Sequence, residues 1–350
     1  MSSEAAATPL SGPDRAVNGA RRAALRLAFG VTACFAAVEA LGWDATFLAP
    51  LLAVSMLVKL QRPPSLTEGL GVIVLIALST GAVLALTTAL IGSPAVLILA
   101  LALVMYLSFY AHRRGAPELA MLLLQISAVS LPVIAVLSPD GAGAFATTLL
   151  SAGGVALITV WAAHAAFPAP TDAAPAATAT RAAEPVPAAR HALLDTVVLF
   201  PVLAWYILDA TQVAVVVLIV IVTLLRQIDP AQGQRAALGL ILGNLIGGVA
   251  AAIVYNLVLM SNTLLFFITA CLAASLGFAG RIATAGDRAP VYAIAFATFI
   301  LLLGLGMTPL PGGSGEAFVS RLLYVLLASA YAIGGLSLVQ RWRIGRAVTR

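Results

Sequence analysis

LLRQIDPAQGQRAALG (Leu224–Gly239) and LVKLQRPPSLTEGLG (Leu57–Gly71) are the two stretches on which the fold turns. Each follows a short apolar run, sets a basic residue and a glutamine ahead of a proline, and leads into a glycine-punctuated apolar helix. The flanking segments pair in the same way. WDATFLAPLLAV (43–54) matches LDATQVAVVVLI (208–219), with Asp44 and Asp209 165 positions apart and Gln61 and Gln227 166 apart. The polar hinge occurs twice because a larger unit occurs twice.

What that unit is follows from composition. Of 350 residues, 61% are hydrophobic and only 9% charged, with mean hydropathy +1.05, whereas soluble domains carry roughly 25% charged residues. The chain reads as an all-α, polytopic membrane protein. A net charge of +5 does not point to nucleic acid, because the basic residues stand in short clusters between apolar runs, as membrane loops do. Cys34 and Cys271 each fall inside an apolar run, so they read as packing residues, and no CxxC or HExxH set offers a metal site. No phosphate loop or G-x-S-x-G elbow is present, so no cofactor is expected and an enzyme is the weaker class.

Crossing an apolar core of about 30 Å takes about 20 residues. Such segments fall at about 23–42, 46–60, 68–91, 94–111, 118–137 and 143–167, and again at 192–208, 211–225, 235–260, 262–280, 289–307 and 316–340. The short second and eighth could be re-entrant, and charge arbitrates. With twelve crossings, Arg15, Arg21, Arg22, Arg26, Lys59, Arg62, Arg113, Arg114, Arg181, Arg190, Arg226, Arg235, Arg281, Arg288 and the last arginines all fall on one side. The other side holds Asp44, Asp140, Asp209 and Glu316, with Arg321 its one basic residue. That split predicts about twelve transmembrane helices with both termini cytoplasmic.

The Pro/Ala run between Phe167 and Arg190 cannot bury enough apolar surface to fold. The expected organisation is therefore a disordered cytoplasmic tail (1–20), a six-helix repeat (21–167), a Pro/Ala-rich cytoplasmic linker (168–190), a second six-helix repeat (191–340) and a basic cytoplasmic tail (341–350). An even number of crossings per unit makes the repeats parallel, about a pseudo-two-fold along the membrane normal.

Polar groups inside apolar spans mark paths or interior contacts. Glu39, Gln125, Asn244, Asn256 and Arg321 are the transport-path candidates, and Glu39 and Arg321 fall at matching depth, so they could face one another. The hinges offer Arg62, Arg226, Gln227 and Arg235 as inner-mouth candidates for capturing an anion, since a guanidinium suits a carboxylate. Gly239, Gly243 and Gly247 stack on one helical face and let another helix approach closely, either as ordinary helix packing or, in a sharper reading, against a helix of the first half, where Gly71, Ser79 and Gly81 form a thinner version. Asp44 and Asp209 are expected to cap the helices that follow them. Trp43, Trp161, Trp205 and Tyr206, near span ends, read as interface anchors in contact with membrane lipid.

RRAALRLAFGVTACFA, RQIDPAQGQRAALGLILGNLIGG and FVSRLLYVLLASAYAIGG, with the six-helix duplication, resemble the fusaric-acid-resistance and aromatic-acid-exporter (FUSC-like) superfamily of bacterial inner-membrane proteins. Many members carry a soluble domain after each bundle. Here only the linker and a short Arg-rich tail stand in those places, which suggests a compact subfamily of unassigned function. The resemblance implies an inner-membrane efflux component for small organic, aromatic carboxylic acids, working with a periplasmic membrane-fusion adaptor. Proton coupling is inferred from the missing ATPase signature. The alternatives are another solute transporter or a non-catalytic membrane scaffold subunit, and a homo-oligomer is left open.

Overall fold

In a computed structural model the described residues are 12–43, 45–168, 185–208, 217–219, 221–223, 225, 233–261 and 263–307, with 323, 327, 330, 331, 334 and 335. Among them the chain is helical, with no strand. The helices are α1 (Gly12–Ala40), α2 (Leu48–Lys59), α3 (Leu66–Leu90), α4 (Pro94–Arg113), α5 (Glu118–Leu137), α6 (Pro139–Ala166), α7 (Pro185–Leu208), α8 (Gly233–Ser261), α9 (Leu264–Thr284) and α10 (Ala289–Met307). Residues 217–219, 221–223 and 225 are also helical. Nine of the described helices are long and apolar enough to cross a membrane. The protein is thus an all-helical, membrane-embedded chain.

Three boundaries differ from expectation for local reasons. Helix α1 begins at Gly12, inside the stretch expected to be a disordered tail through residue 20. Alanine and arginine are good helix formers, so the helix continues beyond the apolar run without needing an apolar face there. Helix α7 begins at Pro185, inside the expected linker through residue 190; proline is tolerated in a first turn, where its missing N–H would have no partner anyway. At α2 the N-cap position is Phe47, with no side-chain cap, rather than Asp44. Asp44 and Asp209 themselves lie outside the described residues.

The hinge before α3 is held by local chemistry. The Glu68 backbone N–H donates to Ser65 Oγ (3.2 Å) and the Ser65 N–H donates to Glu68 Oε2 (2.7 Å), a reciprocal capping box. Trp161 Nε1 donates to the Pro64 carbonyl at 2.8 Å. Its ring lies over Gly69, where a Cβ would come within 2.6 Å of Cζ2. Trp161 therefore fastens α6 to the hinge, whereas Trp205 is exposed as an anchor would be.

The described packing fixes the direction of each helix. Lys59 at the end of α2 pairs with Glu118 at the start of α5, and Trp161 near the end of α6 reaches Pro64 before α3. Arg113 at the end of α4 pairs with Asp195 on α7. Gly115, at φ 88°, turns the chain sharply from α4 toward α5. These contacts gather Lys59, Glu118, Arg113, Pro64 and Trp161 at one end of the bundle, the basic end. At the other end Thr46 Oγ1 donates to the Gly304 carbonyl (3.2 Å), late in α10. Helix α2 thus runs between the two ends with only 12 residues, about 18 Å. Thr46 and Phe47 extend its path and are buried, as irregular backbone at membrane depth must be.

Helix α8 packs on α10 along its glycine face. A Cβ at Gly243 would stand 2.9 Å from the Val291 carbonyl oxygen, and one at Gly247 only 2.2 Å from that of Ala295. The face thus admits a close helix, as its spacing predicts, and the partner is a helix of the second half rather than the first-half helix of the sharper reading. The i, i+4 spacing defines a small face without saying which neighbour it meets. In the first half the Cβ positions of Gly71 and Gly81 meet nothing within 4 Å, and Ser79 is buried with its hydroxyl on the Ile76 carbonyl. The outer faces of α3 (Leu66, Leu70, Val74, Leu78) and α8 (Leu242, Val249, Ile253) are apolar and exposed, as lipid-facing surfaces are. Cys34 and Cys271 are free and buried.

Candidate functional site

The two halves meet at several places. Helix α1 packs on α9 and α4 on α7. In the first pair Thr32 Oγ1 donates to Ser275 Oγ (3.2 Å) and Phe35 meets Phe267 edge-on at 5.1 Å. In the second, Arg113 Nε donates to Asp195 Oδ2 at 3.0 Å and Nη2 to the same oxygen, the two side chains being 13% and 1% exposed. Asp195 carries a buried charge that was not among the candidates.

A third meeting place is open. Helices α2 and α10 pack tightly at the end away from the basic residues, where a Cβ at Gly304 would lie 2.5 Å from Phe47 Cβ. Toward the basic end they diverge around a cavity of about 220 Å³. Leu51, Val54, Val58, Leu122, Ile294 and Ala297 give it apolar walls, Ser55 and Thr223 bring hydroxyls, and Lys59 and Glu118 flank it. Both hydroxyls donate to their own helices, Ser55 to Leu51 (2.9 Å) and Thr223 to Ile219 (2.7 Å), so they satisfy themselves and leave the wall nearly apolar. From Lys59 to Leu51 the cleft follows α2 for about 12 Å. Lys59 is the only lysine in the chain.

The expected path residues separate into different environments. Gln125 is fully buried; its Nε2 donates to Ser108 Oγ (3.1 Å), and its Oε1 has no partner. Nearby, Thr80 and Ser127 share a hydrogen bond of 3.1 Å between α3 and α5. Asn244 is buried and its Oδ1 accepts from Thr298 Oγ1 at 2.6 Å, locking α8 to α10. Asn256 is exposed and donates to its own helix at Ala252 (2.8 Å), so it does not join the interior groups. Glu39, half-buried near the end of α1, has a buried Oε2 without a partner. Arg62 is exposed at the basic end. Arg226, Gln227 and Arg321 lie outside the described residues, as does the side chain of Arg235.

Sequence reasoning also passed over Arg26 and His164, counting the first only as a topological charge. Both are buried, at 3% and 4% exposure, on α1 and α6. Among the described residues no group of three His, Cys, Asp or Glu is placed to hold a metal.

These features define a membrane-embedded helical bundle with a cleft between its halves. Residues 23–163 match a family described as "Protein of unknown function (DUF2955)". No curated protein and no solved structure matches the chain.

Proposed function

We propose that the protein is a secondary transporter of small organic anions, a carrier rather than an enzyme, with the cleft between α2 and α10 as its substrate site. The observation that carries this reading is the cavity at the seam of the halves, with apolar walls for a hydrocarbon or ring and one ammonium at its edge for a carboxylate. Ligand sites are commonly of this make-up, apolar with a few convergent polar groups. A substrate carboxylate would take the place of Glu118 against Lys59.

The described packing supports a duplicated twelve-helix architecture. Counting the helical residues at 217–225 as an eighth crossing makes α8, α9 and α10 the ninth, tenth and eleventh. The contact of α3 with α5 then recurs as α8 with α10, and that of α4 with α5 as α9 with α10. The inter-half contacts α1 with α9 and α4 with α7 exchange with each other, as a two-fold along the membrane normal requires. Arginine and lysine gathered at one end favour a cytoplasmic basic end in a bacterial inner membrane, from which the cleft would face inward. Arg62, exposed at the basic end, would then stand on the side of its mouth. Glu39, with an unpartnered oxygen toward the other end, is the group proposed to exchange a driving proton. The resemblance to aromatic-acid exporters supports export with a periplasmic adaptor. The short connections at 91–93 and at Ser138 on the opposite side agree with reliance on a separate protein there.

Two measurements test this. Reporter fusions after Pro64, Arg114 and Gly286 are expected to report cytoplasm, and those after Ser93, Gly141 and Gly313 periplasm; one reversal within either half breaks the topology. For the site, Lys59→Met should lower uptake of a radiolabelled aromatic acid into inverted vesicles by about tenfold or more, the loss of one charge-assisted contact of roughly 1.5–3 kcal/mol. Lys59→Arg should keep most of it. Equal transport by Lys59→Met at equal abundance would remove the cleft from the pathway.

A further inference from the structure

The cleft between α2 and α10 has an ionic end and an apolar end. Lys59, in the last turn of α2, and Glu118, the first residue of α5, pair at its mouth, each nearly half exposed. Each helix end favours the charge it carries, an ammonium at a C-terminus and a carboxylate at an N-terminus. Glu118 therefore has reason to stay at the mouth when another carboxylate takes Lys59. Leu51 and Val54 on α2 and Ala297 on α10 wall the other end. Leu51 is eight residues from Lys59, and Ala297 is eight from the start of α10 at Ala289. Each span is about 12 Å, so the two walls reach the same depth.

The two sides of the mouth differ. Glu118 and Ala289 each begin their helix, and Leu122 and Ala293, one turn further on, both line the cleft. Helices α5 and α10 thus wall it at matching positions, yet only α5 brings a carboxylate. Among the described lining residues Lys59 is the one cation and Glu118 the one anion. A ligand with a single carboxylate head and an apolar body fits this arrangement. One with two carboxylates meets a penalty at either end. Held beside the first, the second lies against Glu118, and like charges side by side repel. Directed inward, it enters apolar walls whose hydroxyls already donate to Leu51 and Ile219, and a charge buried without a partner is costly.

We propose that Glu118 is the specificity-determining residue of the cleft, restricting it to monocarboxylates bound with the head on Lys59 at the mouth and the apolar body along α2. This rests on the cleft being the substrate site. It adds that the resident carboxylate is a charge filter as well as a counter-ion.

The experiment is displacement of radiolabelled benzoate from the purified full chain in neutral detergent at about pH 8, well above the ordinary carboxylate range. The competitors are unlabelled benzoate, phthalate and terephthalate. All three share one ring; the second carboxylate lies next to the first in phthalate and opposite it in terephthalate. Wild type should prefer benzoate to either dicarboxylate by about tenfold or more. Glu118→Gln should bind benzoate roughly two- to fivefold more tightly, since the head no longer displaces a partner in an exposed pair. It should bind phthalate about tenfold or more tighter, because competitor and repulsion vanish together. Terephthalate should gain no more than benzoate does, because the apolar end still excludes its second charge. Glu118→Asp keeps the carboxylate and should keep the wild-type order. Exposed pairs contribute little to stability, so both variants should melt with wild type. If wild type binds no benzoate, or Lys59→Met binds it as tightly as wild type, the cleft is not the substrate site and the filter falls with it. If Lys59→Met weakens benzoate while Glu118→Gln leaves the preference for benzoate over phthalate unchanged, or helps terephthalate as much as phthalate, the cleft stands and Glu118 is only a counter-ion.

Discussion

Gly247→Leu is expected to leave almost no protein in the membrane, and Gly247→Ala to melt well below wild type. The Cβ of even an alanine would sit 2.2 Å from the Ala295 carbonyl oxygen and 2.9 Å from Thr298 Cβ. The first of these neighbours is backbone and cannot rotate aside, so α8 must withdraw from α10 along the contact. One turn away, the Thr298 hydroxyl bridges to Asn244 at 2.6 Å, and withdrawal would break that bond as well. Overpacking of this kind costs roughly 1–3 kcal/mol for a small excess and more for a large one. Gly81→Ala is the control, because a Cβ there meets nothing within 4 Å. It should leave the melting temperature unchanged or slightly raised, since alanine is the better helix former. Membrane abundance and melting in detergent read both variants. If Gly247→Ala and Gly81→Ala behave alike, the close approach of α8 and α10 does not exist.

The contrast between those glycines shows what the sequence could and could not convey. Helix positions were legible because they depend on local information. Segments 118–137 and 289–307 reappear as α5 and α10 with the same bounds, each preceded by a proline or glycine-containing turn. Gln125 was also legible, since a lone amide in an apolar run stands out whatever surrounds it. Long-range partners were not. Gly239, Gly243 and Gly247 announce a small face, but their spacing is silent about whether α10 or a first-half helix fills it. Arg26 is one arginine among several near the start of the chain, and only the convergence of α1 with α6 separates a buried cation from the exposed ones beside it. The cleft was illegible for a related reason. Lys59 and Glu118 are 59 residues apart in sequence, and nothing local says that α2 meets α10 at Phe47 and parts from it at Lys59.

Asp195 is the extreme case of an illegible partner, and it carries the other large expected effect. Its carboxylate, 1% exposed, lies 82 positions from Arg113 and takes two of that residue's N–H groups on one oxygen. Removing one member of such a pair leaves a buried charge uncompensated, at a cost of about 3–5 kcal/mol. The two single variants should differ. Arg113 is 13% exposed at the last residue of α4, so after Asp195→Ala its long side chain can turn toward the headgroups and recover part of the loss. Asp195 has no such route from within α7 and can shed its charge only by taking up a proton, so Arg113→Met should be the more damaging at high pH and should lose that excess as the pH falls. Replacing both, Arg113→Met with Asp195→Leu, exchanges an ion pair for apolar packing and should restore most of the stability of the wild type. Melting in detergent gives the comparison. A double variant no more stable than Arg113→Met would mean that the two residues act independently, and that the contact between α4 and α7 rests on its apolar side chains alone.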